Sequence, residues 1–306
     1  MTDDFRFDII GLGYSAVDYL GVVPHMPELD TKLLLEEFIR QGGGVTATAM
    51  VAAARLGARV AFVGAVGDDD FGDFTTRELE KEGVDTSRVV RAPGASSQFS
   101  FIMVEKASGK RTILWTRSDV PPLDPDSLDR DFITSCKVLH IDRHEIPAAM
   151  RAAGWVREAG GIVSMDAGTY APEVDDLLPL ADVLITSHAF AVDSTGESDP
   201  ARSARALLKD RRIAGVTWGE RGSWFACSDG AEFHVPAFEV NVVDTTGAGD
   251  VFHGAFSFGL ARAWDALRCA RFASAVAALN CTKLGGRAGI PTCEEAECLA
   301  STLRSE

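Results

Sequence analysis

The sequence predicts an α/β protein in which helices flank a doubly wound, mostly parallel β-sheet, with a small β-sheet lid beside it. From Lys137 onward, strand-like apolar runs alternate with helical segments, and this alternation is typical of a parallel sheet. The strand-like runs are 138–141, 162–165, 183–185 and 213–217, and the helical segments are 148–159 and one that begins at Ala201. Several β-rich segments of the N-terminal part lie outside this alternation, and they predict the lid.

Five short segments rich in β-branched and aromatic residues make up the predicted lid. They are 17–23, 32–39, 89–91, 98–105 and 111–115. We expect one domain over residues 1–306, with the lid formed by discontinuous segments at about 14–40 and 88–117. A sheet this small leaves an apolar face, which the pairing of two lids in a homodimer would cover.

Length, composition and charge limit the partners of this chain. Its 306 residues bury roughly three quarters of the unfolded surface, which is enough for one large α/β domain. A formal charge of −15 argues against nucleic acid or an anionic membrane as a partner. The six cysteines form no C-x-x-C pair, as is usual for reduced thiols. The acidic start MTDDFRFDII is unlike a signal peptide and no apolar run could span a bilayer, so the sequence predicts a cytoplasmic protein.

The segment DTTGAGDVFHGAF, residues 244–256, carries the strongest functional signal. A β-branched run at 240–243 predicts a strand that ends at Asp244, after which small residues provide a sharp turn. Apolar residues then recur at helical spacing, so the turn leads into a buried helix. Because Gly247, Ala248 and Gly249 carry no bulky side chains, an anion such as phosphate can reach the unpaired N–H groups of this helix start.

Asp250 places a carboxylate beside this anion-binding turn. The pair is electrostatically unfavourable unless a reaction uses both groups. Phosphoryl transfer to an alcohol does so, because the N–H groups stabilise charge on the phosphoryl oxygens while the carboxylate accepts the hydroxyl proton. The structural alternative is that Asp250 caps a helix and the glycines only turn the chain.

The thirteen residues 244–256 resemble the C-terminal signature of the ribokinase-like (PfkB) carbohydrate kinases. The resemblance implies a ribokinase-like fold, with ATP and Mg²⁺ as cofactors and a small-molecule sugar as the acceptor. It assigns Asp250 as the catalytic base and Gly247, Ala248 and Gly249 as the anion hole.

The same resemblance implies a set of sugar contacts near the N-terminus. Asp18, five residues after Gly13, is implied to bind sugar hydroxyls. The run that begins at Gly42 resembles the N-terminal signature of the family, so Gly43 and Gly44 let backbone amides approach the substrate. The usual asparagine of that signature is replaced by Thr48, whose hydroxyl takes the place of an amide.

Nucleotide contacts are implied in the C-terminal half. Thr217, Gly219 and Gly222 match a V-T-x-G-x-x-G turn beneath the ATP phosphates, and Asn280 is implied to lie near the adenine base. The family's N-x-x-E motif falls at Ser187 and Phe190 here, and Ser187 is expected among the nucleotide contacts. Without that motif, we expect magnesium to be held by nucleotide phosphates, water and other carboxylates.

A monovalent cation is a further expectation from the resemblance. In some relatives, the first aspartate of the signature and a late loop hold such an ion. The corresponding positions here are Asp244, the carbonyl of Thr246 and the region of Gly286, which would bind K⁺.

Within the family, the chain resembles bacterial sulfofructose kinases over most of its length. The likeness includes GGG-x-x-ATA-x-VAAARLGA, VGDDD, DVFHGA and GGRAGIP. It implies that Lys32 and Arg143 contact an anionic group of the sugar. Trp115 stands where a polar amide is expected by that likeness, and an aromatic ring stacks on a sugar face, so another ketose or a sugar acid remains an alternative acceptor.

Two other functions stay open at this point, and a third is rejected. The acceptor of a kinase of this fold could be a nucleoside or a sugar acid of the 2-keto-3-deoxygluconate type. A non-catalytic regulator that binds sugar or nucleotide is suggested by Ser187 and Phe190. A dinucleotide-dependent dehydrogenase would fit G-x-G-x-x-A at 11–16, but we reject it because residues 17–24 have the composition of a strand and turn and not of a helix.

Overall fold

The computed structural model describes residues 5–303, and these form thirteen strands and nine α-helices. The strands are β1 (Phe7–Leu12), β2 (Ala16–Val23), β3 (Glu37–Gly43), β4 (Val60–Gly67), β5 (Asp85–Ala92), β6 (Phe99–Glu105), β7 (Arg111–Trp115), β8 (Cys136–Ile141), β9 (Ile162–Ala167), β10 (Val183–Ser187), β11 (Ile213–Thr217), β12 (Ser223–Cys227) and β13 (Glu232–Val235). The first four and last three residues of the predicted 1–306 domain, including the start of the acidic N-terminal segment, lie outside the described residues.

The helices lie mostly between the strands of the large sheet and after its last strand. They are α1 (Val45–Arg55), α2 (Asp70–Lys81), α3 (Arg130–Ile133), α4 (Ile146–Glu158), α5 (His188–Thr195), α6 (Pro200–Leu208), α7 (Ala248–Ala261), α8 (Ala266–Asn280) and α9 (Cys293–Ala300). In the part of the chain that the structure describes, none of them is both long and apolar enough to cross a membrane.

A nine-stranded sheet forms the body of the molecule, in the order β13-β12-β11-β10-β9-β8-β1-β4-β5. The strands from β11 to β5 pair in parallel, and only β12 and β13 at one edge are antiparallel. The doubly wound, mostly parallel sheet predicted from the strand and helix alternation is therefore confirmed. Strand order reverses between β1 and β8, and ligands of such sheets bind beyond the carboxyl ends of the strands at this switch point.

A separate four-stranded sheet, in the order β3-β2-β6-β7, forms the lid. The strand β2 pairs antiparallel with β3 and parallel with β6, and β6 pairs antiparallel with β7. The β2 strand also confirms that residues after Gly13 do not open a dinucleotide-binding helix. Three lid segments lie where the sequence predicts them, and β7 has the predicted bounds.

Three predicted strands differ from the structure. Residues 32–36 belong to an exposed connection, and the strand begins only at Glu37, so Lys32 lies outside the lid sheet. Residues 89–91 lie in β5 and pair with β4, because the chain returns to the large sheet before it enters the lid. Residues 240–243 form no strand: Val242 and Val243 are exposed, and no neighbouring strand edge pairs with them.

The helices α1 and α7 cross at a very short distance, which brings their N-termini to the same site. A Cβ atom on Gly254 would lie 2.2 Å from the carbonyl oxygen of Ala49, so only glycine permits this approach. Both helices are rich in small and apolar residues and are buried along most of their length. The short side chains let the two backbones pack closely beneath the switch point of the sheet.

Candidate active site

The first turn of α7 is an uncapped helix start that faces the lid. Gly247 has a φ of 69°, and a Cβ atom there would lie 2.8 Å from Gly286, so the turn needs glycine for its conformation and for the space. No side chain caps the helix, and the N–H groups of a helix's first turn have no partner within the helix. The amide of Ala248 donates to the Thr245 carbonyl at 3.3 Å, so the positive pole of this helix start rests on the helix dipole and on the amides of Gly247 and Gly249.

Asp250 lies in that first turn and is half-buried. Burial, followed by the negative charge of Asp18, raises its pKa to about 7, although the positive charges of Arg111 and Arg287 act against the shift. The carboxylate is therefore within electrostatic range of both the lid and the C-terminal loop. A carboxylate with a pKa near neutrality is well matched to accept a proton from an alcohol.

The inner face of the lid carries a row of four residues in register. Gln41, Asp18, Ser100 and Trp115 are directly paired across β3, β2, β6 and β7. Residues paired in this way project from the same face of a sheet. Burial raises the pKa of Asp18 to about 6, with opposing effects from Arg287 and from the Ser100 hydrogen bond. Trp115 is 58% exposed, so its ring is free to contact a ligand beside Asp18.

Arg111 connects the lid to the anion-binding turn, and the sequence analysis missed it. It lies on the same face of β7 as Trp115, four residues away, because strand side chains alternate with a period of two. Its Nη1 donates a hydrogen bond of 2.6 Å to Oγ1 of Thr245. The period-two pattern of β7 was the signal in the sequence that could have identified it.

Arg287 is a second missed cation, and it explains the position of Thr48. The guanidinium is almost fully buried; its Nη2 donates to the carbonyl of Gly43 at 2.9 Å and its Nε to the Thr48 hydroxyl at 3.2 Å. Burial lowers the pKa of Arg287 to about 10, while the charge of Asp18 opposes this shift. Thr48 is itself buried and its hydroxyl accepts a hydrogen bond from Arg287. The sugar contact predicted for Thr48 stays a prediction.

The two glycines predicted to contact the sugar lie where β3 meets α1. Gly43 is packed against the carboxylate of Asp18: a Cβ atom there would lie 2.1 Å from Oδ2. Gly44 has a φ of 92° and is the uncapped N-cap residue of α1. Two uncapped helix starts, at Gly44 and Gly247, therefore lie on either side of the buried Asp18 and Arg287.

Asp142 ties the carboxyl ends of β1 and β8 together at the switch point. Its Oδ2 accepts hydrogen bonds from the Tyr14 amide at 3.0 Å and the Thr46 hydroxyl at 2.7 Å, and its Oδ1 accepts one from the His144 amide at 2.9 Å. Burial opposes ionisation, yet the hydrogen bonds from His144 and Thr46 hold the pKa of Asp142 at about 2. The Tyr14 ring stacks on His144, with centroids 4.5 Å apart.

The two residues predicted to bind an anionic group occupy different environments. Arg143 follows β8 directly, beside Asp142, and is half-buried. Lys32 is exposed in the connection between β2 and β3. The fold thus brings Arg143 to the switch point, but no contact places Lys32 there.

Comparison with known proteins identifies the family. Residues 8–293 match the model of the pfkB family of carbohydrate kinases. The chain belongs to this family. Its fold is therefore ribokinase-like, and the protein is a carbohydrate kinase.

Relatives of this kinase share most of its length. It is 30% identical to a deoxyribokinase of Salmonella typhi, over 94% of this chain and 97% of that protein. It is 28% identical to a 5-dehydro-2-deoxygluconokinase of Clostridium perfringens, over 94% of this chain and 91% of that protein. A structure from Agrobacterium tumefaciens, described provisionally as a ribokinase, superposes with a TM-score of 0.91 at 29% identity, over 96% of this chain and 97% of that one. The ribokinase of Thermotoga maritima superposes with a TM-score of 0.81 at 26% identity, over 96% of this chain and 99% of that one.

The predicted nucleotide side of the kinase lies at the ends of β10 and β11. Thr217 ends β11 and donates its hydroxyl to the Thr186 carbonyl at 3.2 Å. Gly219 and Gly222 adopt left-handed φ values of 50° and 88° in the turn that follows. These positions form the expected glycine turn, and their contact with nucleotide remains a prediction.

The positions of the missing N-x-x-E motif have structural roles instead. Ser187 is the N-cap of α5: its Oγ donates to the Gly168 carbonyl at 2.7 Å and accepts from the Phe190 amide at 3.0 Å. Phe190 is fully buried and contacts the Tyr170 ring edge to face. A hydroxyl engaged on both sides is poorly placed to bind a nucleotide, so the predicted role of Ser187 has no support from these contacts.

Asp166 is a buried carboxylate that the sequence analysis did not identify. It lies near the carboxyl end of β9, and its Oδ1 is 3.3 Å from Nε2 of His253, one turn after Asp250 on α7. Burial raises the pKa of Asp166, and the charges of Asp250 and Asp142 raise it further. Three carboxylates thus crowd the switch point, which is an environment that a nearby cation would stabilise.

The residues predicted to hold a monovalent cation do converge. The Asp244 carboxylate, the Thr246 carbonyl and the Gly286 carbonyl are joined by a set of hydrogen bonds in which Asn280 takes part. Asn280 is fully buried at the end of α8, so its amide reaches this loop and not an adenine base. These contacts do not support the predicted base contact of Asn280, which stays a prediction.

Proposed function

We propose that this carbohydrate kinase transfers the γ-phosphoryl group of ATP to a primary hydroxyl of a sugar, with Asp250 as the general base. The observation that carries the proposal is the position of Asp250 in the first turn of an uncapped helix, within range of the charge of Asp18 in the lid. Its pKa of about 7 lets it accept a proton near neutral pH.

The chemistry follows from this arrangement. The sugar oxygen attacks the γ-phosphorus, its proton moves to the Asp250 carboxylate, and the bond to the β,γ-bridging oxygen breaks to release ADP. N–H groups of Gly247 to Gly249 hold the charge on the transferring group. Arg111 adds a positive charge from the lid, since its hydrogen bond to Thr245 places it next to this turn.

Magnesium, when bound with ATP, neutralises charge on the phosphates. Among residues 5–303, no cluster of three or more His, Cys, Asp or Glu side chains forms a metal site. Single carboxylates do fit the role, because the crowded charges of Asp142, Asp166 and Asp250 favour a cation. We propose that Asp166, whose Oδ1 lies 3.3 Å from Nε2 of His253, would help to hold the ion.

The acceptor we propose is a ketose or an anionic sugar such as sulfofructose. Asp18 would accept hydrogen bonds from sugar hydroxyls, and the exposed ring of Trp115 would stack on the sugar face. Arg143, beside Asp142 at the switch point, would bind a sulfonate or carboxylate group. The relatives support a sugar acceptor in general, as their names include a deoxyribokinase and a 5-dehydro-2-deoxygluconokinase.

The test measures ADP release with a panel of neutral ketoses, aldopentoses, sugar acids, sulfosugars and nucleosides. Asp250→Asn should lower kcat about a hundred to ten thousandfold with a small change in KM. Asp265→Asn is the matched control, because Asp265 also begins a helix but is exposed at the start of α8. Near-normal turnover of Asp250→Asn would refute the role of the base.

Two further outcomes of the same panel are informative. Arg111→Met should reduce kcat by roughly tenfold to a hundredfold, while Lys110→Met, at the neighbouring exposed position, should not.

If only neutral sugars react, Arg143 does not bind an anionic group. Thermal stabilisation by sugar or nucleotide without ADP release from any acceptor would instead indicate a non-catalytic regulator, the function suggested by Ser187 and Phe190.

A further inference from the structure

The side chain of Asn280 closes the loop in which the family resemblance expects a monovalent cation. Its Nδ2 donates to the carbonyl oxygens of Thr246, at 3.4 Å, and of Gly286, at 3.2 Å. Carbonyl oxygens are the ligands that surround K⁺ when it loses its water. Here both of them face one amide group.

The third predicted ligand, the Asp244 carboxylate, is also engaged by donors. Its Oδ1 accepts from the Thr246 amide at 2.9 Å and the Thr246 hydroxyl at 2.8 Å, and its Oδ2 accepts from the Gly285 amide at 2.8 Å. A carboxylate offers about four acceptor positions, so most of them are filled. The oxygen set is thus satisfied by N–H and O–H groups and does not fit a monovalent cation.

The orientation of the Asn280 amide is decisive. Its Oδ1 is buried without a partner among residues 5–303, whereas Nδ2 has two. Rotation by 180° would bring Oδ1 against two carbonyl oxygens, and three acceptors at this distance need a cation or a water molecule between them. The contacts of Nδ2 therefore favour the donor orientation.

We infer that the Asn280 amide takes the place of the monovalent cation and makes this kinase independent of K⁺. The loop that it holds forms the wall behind the anion-binding turn, because Gly247 lies directly against Gly286. Asn280 is thus a positioning residue that keeps this wall in place. The statement about turnover rests on the proposed function, whereas the statement that K⁺ does not bind is independent of it.

The test compares thermal melting in potassium chloride and in choline chloride at equal ionic strength. The wild-type protein should melt at the same temperature in both salts. Asn280→Asp turns a donor into a carboxylate that faces two carbonyl oxygens, so this variant should gain a potassium-specific rise of roughly 2–4 °C. Asn241→Asp, at an exposed position, is the control and should show no difference between the salts.

A potassium-specific rise in the melting temperature of the wild-type protein would overturn the inference. Equal melting temperatures of the wild-type protein in the two salts support the inference even if Asn280→Asp does not fold. ADP release by the wild-type protein should also be equal in the two salts, and activation by potassium would again overturn the inference. A protein without turnover in either salt would contradict the proposed function alone, since the melting comparison does not depend on catalysis.

Discussion

At the scale of single residues, the properties of the site depend on the balance between a few buried charges. The negative charge of Asp18 adds to the cost of ionising Asp250, and the positive charges of Arg111 and Arg287 reduce that cost. Neither arginine forms a direct hydrogen bond with Asp250 among the described contacts. The pKa of Asp250 therefore lies near neutral pH, and a small change in the surrounding charge should shift this pKa.

The raised pKa of Asp250 predicts a pH-dependent cost in stability. Its folded-state pKa of about 7 lies above the ordinary value of 3.8, so the folded protein loses stability as the pH rises between these values. Asp250→Asn should therefore raise the melting temperature at pH 8, by roughly 2–4 °C for each kcal/mol gained. The gain should shrink toward pH 5, where the folded-state carboxyl is protonated.

Melting curves of the variant and the wild-type protein from pH 5 to pH 8 check this expectation. Asp265→Asn provides the control, because Asp265 is exposed and asparagine caps a helix about as well as aspartate. A difference between Asp250→Asn and the wild-type protein that stays constant with pH would show that the ionised form of Asp250 carries no penalty.

At the scale of elements, the site depends on three pieces of backbone: the start of α7, the start of α1 and the inner face of the lid. The close crossing of α1 and α7 at Ala49 and Gly254 sets the distance between the two helix starts. The lid strands then place Asp18 over both. Since the crossing is a backbone contact, it cannot adjust by rotating a side chain.

Gly254→Ala should consequently destabilise the protein, although alanine favours a helix. The new Cβ atom would lie 2.2 Å from the Ala49 carbonyl, so the helices must separate, at a cost of about 1–3 kcal/mol. Gly154→Ala is the matched substitution within α4, where nothing lies within 4 Å of the new Cβ atom. It should stabilise the protein by roughly 0.5–1 kcal/mol. Urea unfolding of both variants measures the two effects, and equal signs would contradict the packing argument.

At the scale of the whole molecule, the lid has a second, outer face with exposed apolar side chains. Leu114 is 55% exposed and Phe38 is 52% exposed, and both project away from Asp18 because they occupy the alternate positions of their strands. Phe38 stacks on Tyr19, with centroids 5.9 Å apart. We propose that this face pairs with the same face of a second copy, as the small size of the sheet predicts.

Leu114→Asp should convert such a dimer to a monomer, because it buries two charges across a symmetric contact. Sedimentation equilibrium or light scattering gives the mass. Val90→Asp is the control: Val90 is similarly exposed, at 46%, but lies in β5 of the large sheet. A wild-type protein that is monomeric at micromolar concentration would refute the dimer, as would a Leu114→Asp variant that remains dimeric.

The features that the sequence alone determined are those set by neighbours along the chain. The turn at Gly247, the helix that follows it and the alternation of strands and helices depend on local backbone preference and on the periodicity of apolar residues. The same local signals placed β2 after Gly13 and excluded a dinucleotide-binding helix there. The strand that they predict at 240–243 is absent, because the backbone there pairs with no neighbouring strand.

Tertiary structure alone decided which distant residues meet. Arg111 reaches Thr245 across 134 positions, and Arg287 reaches Thr48 across 239. The period-two pattern of β7 indicates which face Arg111 occupies, but nothing in the sequence pairs either arginine with its distant partner. The same holds for Asn280, whose amide meets two carbonyl groups only because α8 and the loop after it fold back on α7. Local backbone energies select the elements, whereas charge balance in the site arises only when those elements pack and exclude water.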